Sequence, residues 1–179
     1  MQRNSKSDQS RDERSIVLVG MMGVGKSTIG RRLATRLGLP FTDADTEIEA
    51  AAGMTIPEIF ARFGEEGFRD GERRVIARLM DEGRRVIATG GGAFVQGQTR
   101  ALILEKALPI WLNANIDVLV DRVSRREGRP LLDGKDPRAV LTELSRIRDP
   151  YYALAPIHVT SGNGPHEQTV EKILEALQK

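Results

Sequence analysis

The chain has 179 residues, the length of one ordinary domain and too short for two comfortable ones. It contains no cysteine, which excludes disulfides, thiolate zinc sites, iron–sulfur clusters and cysteine nucleophiles, and its two histidines, His158 and His166, are too few for a histidine-dominated metal site. With 27 basic against 25 acidic residues the net charge is +2, which makes no electrostatic case for nucleic acid, and the five Phe, two Tyr and one Trp form no stacking cluster. Only six of the basic residues are lysine and the rest are arginine, whose planar fork suits carboxylates and phosphates. A GC-rich genome would give the same bias.

Residues 1–14 (MQRNSKSDQSRDER) are polar and charged, carry no apolar run for a signal peptide, and read as a disordered tail. No window approaches the ~20 apolar residues of a membrane helix, so a soluble, cytoplasmic protein is expected. From Ser15 onward, short apolar runs alternate with amphipathic stretches. SIVLVG (15–20) reads as a strand leading into a glycine-rich turn. In KSTIGRRLATRL (26–37), Ile29, Leu33 and Leu37 share one helix face, and Gly38 stops the helix. A short second strand is expected near Leu39–Thr42, then a helix after Asp45. Thr55 and Glu58 bracket a capping box before a short helix with Pro57 in its first turn.

GFRDGERRVIARLM (67–80) predicts a longer helix, weakened by Gly71, and RRVIATGGG (84–92) a strand running into a glycine turn. Residues 101–107 read as helix, 108–113 as strand and 116–126 as helix. The segment 126–137, crowded with glycine, proline and charge, reads as an exposed loop inserted in the domain. Asp136 and Pro137 then look like the N-cap and first residue of a helix towards Arg148, with a last strand at 156–161 and a last helix at 165–178. About five strands alternating with helices predict a parallel sheet covered on both faces.

The strongest signal is GMMGVGKST (20–28), in which Gly20, Gly25, Lys26 and Ser27 match the phosphate-loop pattern between an apolar strand and a helix start. Glycines let backbone N–H groups converge on phosphate oxygens, and the helix start adds its positive dipole end. Lys26 would reach the β- and γ-phosphates, and the Ser27 hydroxyl would ligate magnesium. The pattern predicts binding of a nucleoside triphosphate. The Asp-x-x-Gly and Asn-Lys-x-Asp strings of a GTPase are absent. The chain is also too small for an oligomeric motor, which leaves a compact kinase of a small acceptor.

Three further clusters follow. DAD (43–45) places two carboxylates two apart past the second strand; one would hold magnesium through water and the other accept a hydroxyl proton, or Asp45 serves only as a helix N-cap. FRDGE (68–72) puts Arg69 and Glu72 on one helix face, either in a site or as a solvated surface pair. TGGG (89–92) follows a strand, where backbone donors would approach a polyol closely.

Together with RPLL (129–132) and RDPYY (148–152), these motifs resemble the shikimate kinase family in order and spacing, from about Arg14 to Leu177. The resemblance implies a phosphate-loop NTPase fold of the nucleoside-monophosphate-kinase type, one kinase domain over 15–179, and a mobile lid at about 124–137. It implies transfer of the ATP γ-phosphoryl group to the 3-hydroxyl of shikimate, with ATP as co-substrate and magnesium as cofactor. Gly23, Gly25, Lys26, Ser27 and Thr28 would hold the nucleotide phosphates, and Arg122 would lie against the adenine. Ser27 and Asp43 would organise magnesium. Asp45 would meet the shikimate hydroxyls and act as candidate base. Arg69 and Arg148 would clamp the carboxylate, with Glu72 steadying Arg69, and the backbone of Gly91 and Gly92 would meet ring hydroxyls. Arg129 would descend with the lid onto the transferring phosphate.

Asp70, beside Arg69, is a departure expected to draw that arginine from substrate. A monophosphate acceptor would be repelled by the DAD carboxylates. Gluconate, which also offers a carboxylate and hydroxyls, is set aside by the resemblance alone. A regulator that had lost transfer would be expected to lack one of Lys26, Ser27, Asp43, Asp45 and Arg129, and all five are present. No exposed apolar heptad or long edge strand stands out, so a monomer is expected.

Overall fold

The computed structural model describes residues 13–125, 132 and 134–179. Most of the tail read at 1–14 and half of the lid, including Arg129, therefore lie outside the described residues. The expected parallel sheet forms with five strands in the order β2-β3-β1-β4-β5: β1 (Ser15–Val19), β2 (Phe41–Asp43), β3 (Val86–Ala88), β4 (Ala107–Asn113) and β5 (Ile157–Thr160). Every residue of β1 is buried, without alternation, because a central parallel strand is covered on both faces. At the edge, β5 alternates instead, burying Ile157 and Val159 and exposing His158 and Thr160.

The helices are α1 (Lys26–Leu37), α2 (Ala44–Ala52), α3 (Ile56–Asp81), α4 (Gly97–Lys106), α5 (Ile116–Ser124), α6 (Pro137–Tyr152) and α7 (His166–Leu177), with a 3-10 turn at Ala93–Val95. Helix α1 packs on α7, α2 on α3 and α5 on α6. The capping box at the start of α3 is present: the Thr55 side chain accepts from the Glu58 N–H, and Glu58 Oε2 accepts from the Thr55 N–H at 2.7 Å.

Three local expectations change. Helix α2 starts at Ala44, so Asp43 rather than Asp45 is its N-cap, its Oδ1 accepting from the N–H of Asp45 and Thr46. The two helices expected across 55–80 join into α3, with the break at Gly64 (φ 70°, ψ −178°) and not at Gly71, which is helical. Helix α6 continues past Arg148 through Pro150 to Tyr152, although Pro150 has no N–H to donate to the Arg146 carbonyl.

Parallel pairing sets the ends of the strands level. Leu18 pairs with Ala88 and Asp43 pairs with Ala88, so Gly20, Asp43 and Thr89 emerge together at the carboxyl edge. The Thr89 hydroxyl donates to the Leu18 carbonyl at 2.8 Å and ties β3 to β1 just below that edge. Strand β1 lies between β3 and β4, where the chain's connections diverge, and ligands bind in the crevice above such a point in open α/β sheets.

Candidate active site

A cleft of about 880 Å³ opens at this edge. Its lining includes Gly23, Gly25, Lys26, Ser27 and Thr28 from the phosphate loop and α1, Asp43 and Asp45 from the β2–α2 junction, and Gly90 and Gly91 after β3. Arg122 and the segment 163–166 close the opposite side.

The phosphate end is made mainly of backbone. Gly20 has φ +143°, and a Cβ there would stand 2.3 Å from the Leu112 carbonyl oxygen, so no other residue fits. Gly25 caps α1 in the left-handed region with φ +96° and offers no side chain to the first-turn N–H groups. Those donors are left to the cleft, where an anion would take them. Lys26 is buried and its Nζ donates to the carbonyls of Gly20 at 2.7 Å and Met21 at 2.9 Å, folding the loop around the amine. Ser27 Oγ donates to Asp43 Oδ2 at 2.5 Å. Asp43 thus caps α2 with one oxygen and reaches the phosphate-loop serine with the other.

Arg122 braces the loop from the side. It donates to the carbonyls of Val24 and Gly162, both at 2.8 Å, with Ser161 Oγ at 3.4 Å, and burial lowers its pKa. It therefore joins the phosphate loop to the β5–α7 connection while lining the cleft. His166, at the start of α7, has its Cε1 3.2 Å from where a Gly25 Cβ would lie. No sequence motif marks it as a site residue.

The acceptor end is made of side chains, and the triple glycine is what seats them. A Cβ on Gly90 would come 2.9 Å from Asp45 Oδ1, one on Gly91 2.9 Å from Arg148 Nη1, and one on Gly92 2.3 Å from Arg69 Nη2. Each consecutive glycine leaves room for one charged group. Burial foremost, then the neighbouring Asp43, raises the Asp45 pKa, with Lys26 opposing.

Arg69 Nη1 donates to Glu72 Oε1 at 2.8 Å. Glu72 is only 1% exposed, so this pair is a built feature rather than a solvated surface contact. Burial raises the Glu72 pKa and Arg69 opposes that shift. Asp70 does not compete for Arg69, because its Oδ1 accepts from Arg73 Nη2 at 2.8 Å. Tyr152, fully buried on α6, donates its hydroxyl hydrogen to the Gly91 carbonyl.

Strand-end phosphate loop, buried lysine, serine–aspartate contact, a poised carboxylate and two arginines define a phosphate-loop kinase of a small acceptor. The family model described as shikimate kinase matches residues 22–178. A shikimate kinase of Caulobacter vibrioides is 63% identical over 166 residues, covering 93% of this chain and 83% of the relative. One of Zymomonas mobilis is 56% identical over 174 residues, covering 97% and 99%. The solved shikimate kinase of Acinetobacter baumannii in complex with shikimate superposes with a TM-score of 0.86 at 38% identity, covering 92% of this chain and 93% of that one. The chain belongs to the shikimate kinase family.

Proposed function

We propose that this chain transfers the γ-phosphoryl group of ATP to the 3-hydroxyl of shikimate. The observation that carries the reading is the glycine turn 90–92, whose three residues have Asp45, Arg148 and Arg69 against them in turn, with Gly90, Gly91 and Asp45 lining the phosphate-loop cleft. An acceptor with a carboxylate at one end and hydroxyls at the other matches that spacing of charge. Arg69 and Arg148 hold the carboxylate and Asp45 accepts from the reacting hydroxyl, taking its proton as the phosphoryl group leaves ATP. A raised pKa brings Asp45 closer to the operating range of a general base. Lys26 and the N–H groups of the loop hold the phosphates, so the barrier falls by positioning and charge neutralisation.

The donor set fits magnesium. The Ser27 hydroxyl and the Asp43 carboxylate are hard oxygen ligands, and magnesium is bound through one or two such groups plus substrate phosphates. Among the described residues no group of three or more His, Cys, Asp or Glu could hold a metal, and in this reading substrate phosphates and water would complete the shell. When bound, the ion neutralises charge on the β- and γ-phosphates. In this reading residues 15–179 form one kinase domain acting as a cytoplasmic monomer, and Arg129 reaches the phosphate from a lid that excludes water.

The test is ADP release with magnesium-ATP, comparing shikimate, gluconate and a mixture of nucleoside monophosphates. Stimulation by shikimate alone is expected. Stimulation by gluconate or a monophosphate would overturn the acceptor assignment, and silence with all three despite ATP binding would point to a regulator.

A further inference from the structure

Arg148 and Tyr152 lie four apart on α6 and therefore on one face, which turns towards the glycine turn after β3. Both reach the same glycine: a Cβ on Gly91 would lie 2.9 Å from Arg148 Nη1 and 3.7 Å from the Tyr152 hydroxyl. The hydroxyl donates its hydrogen to the Gly91 carbonyl, and the neighbouring Arg148 guanidinium opposes the rise of its pKa. Its ring is fully buried, with the Trp111 ring centred 6.1 Å away. Burial pushes the phenol up to about 12, so it remains a neutral donor throughout the working range of an enzyme.

We infer that Tyr152 is a positioning residue for the acceptor, its hydroxyl locking the Arg148 guanidinium to the Gly91 peptide so that the carboxylate clamp stands preformed. The inference rests on the proposed shikimate reading. Without the hydroxyl, the Gly91 carbonyl loses a donor and Arg148 a polar neighbour, while the phosphate loop keeps every contact described above. The defect should therefore fall on the acceptor and spare the nucleotide.

The experiment is steady-state kinetics of Tyr152→Phe, Arg148→Ala and the double variant, with melting curves for each. In Tyr152→Phe, KM for shikimate is expected to rise about fivefold or more while KM for ATP stays within about twofold. In the Arg148→Ala background, the same tyrosine change should add almost nothing, since the group it positions is gone. An unchanged KM for shikimate would reduce Tyr152 to a packing residue and overturn the inference. So would equal rises in both KM values, additive effects in the double variant, or loss of a cooperative melt, which would assign the hydroxyl to stability. Wild-type enzyme that ignores shikimate would instead bring down the acceptor reading, an outcome separable from the others because it needs no variant.

Discussion

The two ends of the cleft are built from different materials. The phosphate end comes from one contiguous stretch, 20–28, and offers mainly backbone N–H groups and one lysine folded back on its own loop. The acceptor end draws Asp45 from α2, Arg69 and Glu72 from α3 and Arg148 and Tyr152 from α6, gathered around three glycines after β3. A loop that binds a repeated chemical group, phosphate, is local and portable. A pocket that recognises one particular acceptor needs side chains whose directions only packing can set.

Changes at the phosphate end should act on transfer, and changes at the acceptor end on selectivity. Lys26→Met is expected to lower turnover about 10²–10³-fold, the scale of losing one preorganised charge donor. Titration calorimetry should show its shikimate binding unchanged, and a large loss there would mean that the two ends are not independent. Asp45→Asn, at the junction, should keep ATP binding and lower turnover at least ~100-fold.

Asp45 also ties activity to pH. Burial and Asp43 raise its pKa, so lowering the pH through that raised value protonates the proposed base, and the acid limb of kcat should lie above the ordinary aspartate value. Stability runs the other way. Between the unfolded value of about 3.9 and the raised folded value, the folded state holds more proton, so stability is lost as pH rises through that window. Asp45→Asn removes this penalty and should melt at a higher temperature than the wild type at neutral pH, a gain checked by calorimetry.

Two glycine-to-alanine changes give the finest contrast. At Gly92 the added methyl meets the Arg69 guanidinium, and KM for shikimate is expected to rise about tenfold, the cost of disturbing one charge-assisted contact. At Gly71, two residues from the same arginine, nothing lies within 4 Å. That alanine should leave kinetics alone and stabilise α3 by about 0.5–1 kcal/mol. A kinetic effect at Gly71 of the size seen at Gly92 would show that helix alignment, not the local fit, governs the clamp.

The sequence by itself determined the parallel sheet and the phosphate loop. Both follow from local rules: unbroken apolar runs for buried strands, helical spacing in α1, and a glycine–lysine–serine string between them. The capping box was readable for the same reason, since its hydrogen bonds close within three residues. Tertiary structure decided the rest. Whether Asp43 or Asp45 capped α2 depended on where β2 ended, and pairing with β3 carries that strand to Asp43. The kink at Gly64 falls between the two helices read from the sequence, but that they run on as one element is not set by helix periodicity. That Asp70 turns to Arg73, that each glycine of the triple turn seats a different charged group, and that Tyr152 joins Arg148 to Gly91 all involve contacts of defined side-chain direction. Most of them span tens of residues of chain, and packing, not spacing, sets those directions.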